Sequence, residues 1–252
     1  MTRIVVVGDV GGCVTHLAEA MAGVVEDEDT VVVQVGDLVD RGPDSTGVLR
    51  FVAERLATAP RRWIQLIGNH EEQYLDGEVF WPEPISDEDT QLLRSWWLRD
   101  RIRVAAALRT ADGEEFLLTH AALTVDAWNE LGAPVTAGTA ADLLNTRPEE
   151  LLRDERGPLW AEAGSDVYES WLRAGVPPPF GQVHGHSTIV DFPTRTWRCG
   201  ERIRQRSTVD WDARHTVTRI GGARFIGCDP RHGRTGAPRW SPLVFEGATL
   251  LG

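Results

Sequence analysis

Three short apolar runs near the start of the chain, each ending in glycine and a polar residue, constrain the fold most strongly. They are residues 3–7 before Gly8-Asp9, residues 30–35 before Gly36-Asp37, and residues 63–67 before Gly68-Asn69. Each run has the length of a buried strand, and a helix is expected after each, the second over residues 43–58. Strand–loop–helix units at intervals of roughly 30 residues predict a parallel sheet with crossover helices.

The polar residues behind these runs are predicted to meet at one edge of the sheet. Open α/β sheets bind ligands in the crevice at the carboxyl ends of their strands. Asp9, Asp37 and Asn69 all stand at that position, although they are far apart in sequence. Because carboxylate and amide oxygens bind hard cations, the pattern predicts a metal site at this edge.

Residues 36–42, Gly-Asp-Leu-Val-Asp-Arg-Gly, carry two carboxylates and a guanidinium within one predicted loop. Asp37 is expected to bridge two metal ions, and Arg41 is expected to hold phosphate oxygens. His70 is predicted to protonate a leaving oxygen, with Asp40 orienting its imidazole. The structural alternative for this segment is a salt-bridged turn without a catalytic role.

Two histidines further along repeat the pattern of a strand followed by a ligand. His120 follows the apolar run 115–118, and His186 follows the short run 182–184. His184 alternates with His186, so it is expected to face the opposite side and to pack rather than bind metal. The predicted ligands are Asp9 and Asp37 on one ion, and Asp37, Asn69, His120 and His186 on the other.

Composition limits the class of protein. The 252 residues suffice for one large domain, and no linker divides the chain, so we expect a single domain over residues 1–252. A net charge of −12 argues against nucleic acid and anionic membranes as partners. No apolar run reaches the roughly 18 residues of a membrane span. Three scattered cysteines fit a reducing cytoplasm.

The remainder of the chain predicts further elements around this sheet. Ser86 is expected to cap a helix, and residues 103–108 and 115–118 are expected to pair as a hairpin. Residues 77–84 are expected to form a loop with exposed aromatic side chains. Residues 225–229 and 242–245 are predicted as late strands of a second sheet.

Together these segments resemble the phosphoprotein phosphatase family of calcineurin-like metallophosphoesterases. The similar segments are Gly-Asp-Val-Gly-Gly at 8–12, Gly-Asp-Leu-Val-Asp-Arg-Gly at 36–42, Gly-Asn-His-Glu at 68–71, His120, and Gly185-His186-Ser187. The resemblance implies an αββα sandwich of two mixed sheets flanked by helices, a two-metal site and hydrolysis of phosphate esters. It assigns the same ligands as above, with His70, Asp40 and Arg41 as catalytic residues and Arg41 and Asn69 at the substrate.

Two positions depart from the family pattern. Gly11 stands where the family has a histidine that binds the first metal ion, so that site is expected to be weak. Cys13 or His16 are conceivable replacements, and water is the default. Glu162 stands where related bacterial phosphatases have a phosphate-binding arginine, so Arg156 from the preceding turn is considered as its replacement.

The resemblance implies a hydrolase of phosphomonoesters that acts through a metal-bound hydroxide. We expect this protein to be a monomer. The leading partner is a phosphorylated protein carrying phospho-Ser/Thr or phospho-Tyr, and a small phosphoester is the other. Two divalent metal ions are implied, with Mn favoured over Fe, Zn or Mg. Two alternatives stay open: a dinucleoside polyphosphate hydrolase, and a pseudo-phosphatase that binds a phosphorylated partner without turnover.

Overall fold

The computed structural model describes residues 2–75, 78–231 and 239–251. The strands are β1 Arg3–Val7, β2 Thr30–Gln34, β3 Trp63–Leu66, β4 Ile102–Arg103, β5 Ala106–Arg109, β6 Glu115–Leu118, β7 Gly181–His184, β8 Val190–Asp191, β9 Thr196–Trp197, β10 Ser207–Asp210, β11 His215–Ile220, β12 Ala223–Gly227, β13 Leu243–Glu246 and β14 Thr249–Leu251. The helices are α1 Val14–Met21, α2 Ser45–Thr58, α3 Asn69–Glu72, α4 Asp87–Leu98, α5 Val125–Glu130, α6 Ala137–Asn145, α7 Glu149–Arg153, α8 Glu169–Ala174 and α9 Glu201–Arg204. A π-helical turn, Ala163–Tyr168, leads into α8.

The first sheet has the strand order β13-β1-β2-β3-β4. Strands β1, β2 and β3 are parallel, as the repeated strand–loop–helix units predict. Strand β4 continues this parallel order beside β3, and β13 is antiparallel to β1. The second sheet has the order β10-β11-β12-β7-β6-β5-β14. Its central strands β6, β7 and β12 are parallel, so their carboxyl ends lie at one edge.

The two sheets pack face to face, which confirms the predicted sandwich of two mixed sheets flanked by helices. Alternation along β1 shows how the sequence produces the layers. Ile4 and Val6 join the core that also contains Phe116 and Val183 of the second sheet. Val5 and Val7 face the opposite core, where they join side chains of α1 and α2 such as Leu17. Each fully buried aliphatic side chain contributes about 1.5–3 kcal/mol to stability.

The predicted hairpin forms between Ala106–Arg109 and β6, but residues 103–108 are not a single strand. Ile102–Arg103 pairs with β3 in the first sheet, whereas Ala106–Arg109 pairs with β6 in the second. The chain crosses between the sheets at Val104 and Ala105. Asn145 Oδ1 accepts hydrogen bonds from both of their backbone N–H groups, at 3.0 and 3.1 Å, which replaces the ladder partners lost at the crossing.

Other boundaries also differ from the prediction. Helix α2 begins at Ser45, because the Asp44 side chain accepts a hydrogen bond from Gly47 N at 2.7 Å and acts as N-cap, leaving Pro43 outside. The predicted late strand at 242–245 belongs to the first sheet, where β13 pairs with β1.

Ser86 caps α4 as predicted. Gly77, in the predicted aromatic loop, lies outside the described residues. Within the described ranges, no helix is long and apolar enough to cross a bilayer.

Candidate active site

Five predicted metal ligands lie at the carboxyl ends of strands from both sheets. Asp9, Asp37 and Asn69 follow β1, β2 and β3, whereas His120 and His186 follow β6 and β7. His120 Nε2 lies 3.2 Å from Asp37 Oδ1 and 3.0 Å from Asn69 Oδ1. His186 Nδ1 lies 3.1 Å from Asn69 Oδ1. The fold therefore brings together side chains that are widely separated in sequence.

The two sheets approach each other closely at this cluster. The backbone N–H of His186 donates to Asp9 Oδ1 at 2.9 Å. A Cβ atom on Gly185 would lie 2.2 Å from the same oxygen, so only glycine fits there. His120 Nδ1 lies 2.9 Å from the carbonyl oxygen of Val35. Because a carbonyl oxygen only accepts, Nδ1 carries the proton and Nε2 presents its lone pair to the cluster.

The donor set fits a divalent metal ion. Ligand atoms of Asp9, Asp37 and His120 all lie within 4.8 Å of one another. Asp37 Oδ2 is buried and accepts no hydrogen bond, although Arg41 Nη2 is an ion-pair neighbour at 3.1 Å. A buried carboxylate oxygen without a hydrogen bond is costly unless another cation satisfies it. Carboxylate oxygens with one or two imidazoles suit Mn, Fe, Zn or Mg.

Burial and neighbouring charges set the protonation of this cluster. Burial raises the pKa of Asp9 well above its usual range, and the charge of Asp37 adds to that. Burial also disfavours the Asp37 carboxylate, but the charge of His120 in its protonated form and the permanent charge of Arg41 outweigh it and lower its pKa. Burial lowers the pKa of His120 and brings that of His186 to about 3. An ionised Asp37 beside neutral imidazoles is the protonation that metal binding requires.

His70 lies beside this cluster in a hydrogen-bonded pair with Asp40. His70 Nδ1 is 2.7 Å from Asp40 Oδ2, and both side chains are nearly fully buried. Gln73 Nε2 donates to the same Asp40 oxygen at 2.8 Å, and Tyr74 OH donates to the other at 2.9 Å. Arg41 Nη2 lies 3.1 Å from His70 Nε2. Since a guanidinium only donates, Nε2 accepts and the ring proton is on Nδ1, toward Asp40.

Arg41 connects the carboxylates to this pair. Its Nη1 lies 3.2 Å from Asp9 Oδ2, and its Nη2 lies 3.1 Å from Asp37 Oδ2. Asp37, Asp40 and Arg41 all have left-handed backbone conformations, with φ of 55°, 67° and 57°. Such conformations cost about 1–3 kcal/mol each and concentrate at functional sites. The loop thus directs Arg41 at the carboxylate of Asp37 and directs Asp40 at His70.

A family model described as calcineurin-like phosphoesterase matches residues 2–211 of this sequence. The chain belongs to this family. Among curated proteins, residues of this phosphoesterase are 43% identical over 75 positions to serine/threonine-protein phosphatase 1 of Salmonella typhimurium, covering 29% of this chain and 32% of that protein. A second match, 45% identical over 69 positions, is to a symmetrical bis(5'-nucleosyl)-tetraphosphatase of Nitrosospira multiformis. It covers 27% of this chain and 24% of that protein. The chain thus matches about a third or less of the length of these relatives.

The fold of this phosphoesterase is also similar to that of solved structures. A cold-active protein-tyrosine phosphatase of a Shewanella species superimposes with a TM-score of 0.56 at 17% identity, over 100% of this chain and 81% of that one. At this level of identity the likeness shows the shared fold.

The loop that lacks the family histidine packs against Arg41. Gly11 has a φ of 50°, and a Cβ placed there would lie 3.5 Å from Arg41 Cβ. Cys13 is buried, its Sγ donates to Gly11 O at 3.5 Å, and burial raises the pKa of its thiol. A raised pKa opposes the thiolate form that binds metals. His16 lies on α1 and lines a separate cavity with Trp240.

The second departure from the family pattern, Glu162, lies at the site. It lines a cavity of about 440 Å³ together with Arg41 and His186. Arg156 is not among the described residues that line this cavity. Its side chain is 68% exposed, and its Nε lies 4.0 Å from Asp166 Oδ1. Arg156 as a substrate contact therefore stays a prediction.

Asp229 is a site residue that the sequence analysis did not single out. It follows β12, is 3% exposed, and lines the same cavity as Arg41 and His186. Burial raises its pKa to about 6, and its charge adds to the raised pKa of Asp9. The sequence does contain a pattern that indicates this residue, because Asp229 follows an apolar run as Asp9 does.

Glu71 links two of the site loops through backbone hydrogen bonds. Its carboxylate accepts backbone hydrogen bonds from Asp37 at 2.8 Å, Leu38 at 2.7 Å and Gly68 at 2.9 Å. Burial raises the pKa of Glu71 to about 7, with the charge of Asp37 adding to the effect. This residue therefore joins the loops that follow β2 and β3.

Aromatic side chains line the other side of His70. The Phe80 and Trp81 rings contact its imidazole edge-on, with centroids at 5.2 and 5.1 Å. Phe80 also contacts Trp160 at 5.6 Å. Phe80, Trp81 and Trp160 are called the aromatic wall below.

Proposed function

We propose that this chain hydrolyses phosphomonoesters, with phospho-Ser/Thr or phospho-Tyr side chains of proteins as the substrate class. The observation that carries the proposal is the His70–Asp40 pair, at 2.7 Å, facing the carboxylates of Asp9 and Asp37. Arg41 lies between them, where a guanidinium would bind phosphate oxygens. Family membership and the match to a serine/threonine phosphatase support the same reaction.

The roles of the side chains follow from their contacts. Asp9, Asp37, Asn69, His120 and His186 would hold two divalent ions. When bound, these ions supply a nucleophile at neutral pH and neutralise phosphoryl charge. Arg41 would orient the phosphate, together with Asn69. His70, once protonated, would donate the Nε2 proton to the leaving oxygen as the P–O bond breaks, while Asp40 holds the ring through Nδ1.

Finer properties belong to the same proposal. We favour Mn because the ligand set is mostly hard oxygen and imidazole. Residues 1–252 would act as one domain, which is supported by a core shared between Ile4 of the first sheet and Phe116 of the second. A monomer in the cytoplasm is proposed, supported by free thiols at Cys13, Cys199 and Cys228.

The direct test is hydrolysis of p-nitrophenyl phosphate by purified protein supplied with Mn, Fe, Zn or Mg. Wild type is expected to turn over, and Asp37→Asn and His70→Asn are expected to lose most of the rate. Equal inactivity of all three proteins across the metals would contradict the proposal. It would favour a pseudo-phosphatase that binds a phosphorylated partner.

A dinucleoside polyphosphate hydrolase is the second candidate. It is favoured by the match to a tetraphosphatase and by Arg198 and Arg231, which line the cavity beside Arg41. These cations could hold additional phosphates. Comparing kcat/KM for a phosphopeptide and for diadenosine tetraphosphate separates the two functions, and preference for the latter would replace the first proposal.

A further inference from the structure

Phe80 is a large aromatic side chain that stays exposed although it contacts the buried His70. It keeps 47% of its surface exposed, although one edge packs against the buried imidazole of His70 at 5.2 Å. The adjacent Val79 is also exposed, at 45%. A large apolar side chain exposed beside a candidate catalytic group indicates a contact surface more than core packing.

The aromatic wall is tied to the His70–Asp40 pair by one side chain. Gln73 Oε1 accepts hydrogen bonds from the backbone N–H groups of Phe80 and Trp81, both at 3.0 Å. The amide nitrogen of the same Gln73 donates to Asp40 Oδ2 at 2.8 Å. The loop that carries the two rings is therefore fixed relative to the imidazole, rather than placed independently of it.

The position of the wall determines which part of a substrate it meets. In the proposed reaction His70 donates its proton to the leaving oxygen, so the leaving group lies within hydrogen-bond distance of that imidazole. A substituent on that oxygen would then lie close to the side chains that border His70. Phe80 and Trp81 contact the imidazole directly, and Trp160 contacts Phe80. The wall is therefore placed where a substituent on the leaving oxygen would meet aromatic carbon.

We propose that the aromatic wall, led by Phe80, binds an aromatic ring on the leaving oxygen, so that the site selects aryl phosphate monoesters such as phosphotyrosine over alkyl ones such as phosphoserine. This inference rests on the proposed hydrolase function and names its substrate class. An aromatic ring beside Phe80 gains offset or edge-on ring contacts and buries apolar area, whereas the serine Cβ is too small to reach the wall.

The test compares two phosphopeptides of one sequence, with phosphotyrosine or phosphoserine at the same position. Wild type is expected to favour phosphotyrosine in kcat/KM. Phe80→Ala is expected to lower kcat/KM for phosphotyrosine about tenfold and for phosphoserine less than about twofold, since the ring contacts are lost for one substrate only. Phe80→Tyr keeps the ring and is expected to retain the preference. Leu98→Ala, an exposed apolar truncation distant in sequence, is expected to change neither substrate.

An equal loss for both peptides in Phe80→Ala would show that Phe80 only supports His70, and it would overturn the inference. A readout without turnover separates this outcome from failure of the hydrolase proposal. Binding of phenylphosphonate and methylphosphonate is measured by calorimetry for wild type and Phe80→Ala. A preference for phenylphosphonate that Phe80→Ala abolishes supports the wall even if neither peptide is hydrolysed. Equal affinity for both phosphonates in wild type overturns it.

Discussion

His70 Nδ1 lies 2.7 Å from Asp40 Oδ2, and this contact fixes both the orientation and the tautomer of the imidazole. Asp40 is itself held by Gln73 and Tyr74, so the ring is supported by a buried network. With Nδ1–H directed at Asp40, the Nε2 atom is the one directed at Arg41 and the carboxylates. The pair has the arrangement of a general acid and its positioning carboxylate.

The first prediction tests this pair through the leaving group. His70→Asn is expected to lower kcat about 10²- to 10⁴-fold with phenyl phosphate, whose phenolate is a poor leaving group. The loss with p-nitrophenyl phosphate is expected to be smaller, because nitrophenolate needs less protonation. Asp40→Asn is expected to follow the same order with smaller losses. A loss that is equal for both esters would remove His70 from the role of acid.

The second prediction concerns Glu71, which accepts hydrogen bonds from backbone N–H groups of two loops. Glu71→Ala leaves these buried donors without partners, so we expect the free energy of unfolding to fall by about 3 kcal/mol or more. Urea denaturation in the presence of a chelator measures this without a contribution from metal. Glu19→Ala, on the exposed side of α1, serves as control and should stay within about 0.5 kcal/mol. Similar values for both variants would contradict the role of Glu71.

The third prediction concerns the missing family histidine. Gly11→His is expected to increase the affinity of the first metal site, since an imidazole would join the carboxylates of Asp9 and Asp37. Gly11 has a positive φ, so a side chain there costs about 1 kcal/mol of stability. Gly11→Ala carries the same backbone cost without the imidazole and is the matched control. Calorimetric titration with Mn is expected to show tighter binding in Gly11→His alone. If both variants bind like wild type, another group already fills that position.

The fourth prediction concerns His184, which packs against Tyr168 and not among the proposed metal ligands. Its Nε2 lies 2.8 Å from Tyr168 OH, and burial lowers its pKa to about 4 from 6.5. The unfolded chain therefore binds a proton between pH 6.5 and 4 that the folded chain does not, and stability falls as pH falls through this window. One such group contributes up to about 1.4 kcal/mol per pH unit.

His184→Gln removes this group, so its stability should depend less steeply on pH between 6.5 and 4 than that of wild type. The comparison is made by urea denaturation with chelator present, so that loss of metal does not contribute. His186 is present in both proteins, and His184 is the smallest cause of its lowered pKa, so most of its contribution cancels from the difference. Identical slopes for the two proteins would show that His184 is accessible to protons in the folded state.

Much of the first sheet could be predicted from sequence, because β1, β2 and β3 are buried parallel strands whose apolar runs end in glycine. The same rule placed Asp9, Asp37 and Asn69 at one edge. This rule does not determine which of the two sheets a strand joins, because an apolar run reports only on its own residues. The run 103–108 has the pattern of one strand, yet hydrogen bonds from its backbone N–H groups to Asn145 Oδ1 allow it to divide between the sheets. That partner lies far along the chain.

Asp229 and Phe80 were missed for different physical reasons. Asp229 follows an apolar run, but its place at the site depends on β12 lying parallel to β7, which the surrounding antiparallel hairpins conceal. Phe80 lies in a loop, and loops carry no periodic pattern. Its contact with His70 is produced by the Gln73 amide, which binds the loop backbone and Asp40 together.

The central claim is that loops from two sheets jointly bind divalent ions. The most direct measurement is metal content by mass spectrometry after incubation with Mn and removal of free ions, for wild type and Asp37→Asn. We expect wild type to retain close to two ions per chain, with the first site the weaker of the two. Asp37→Asn is expected to lose most of this content, because the carboxylate would contact both ions. Wild type that retains no ion, or a variant that retains as much as wild type, would contradict the account.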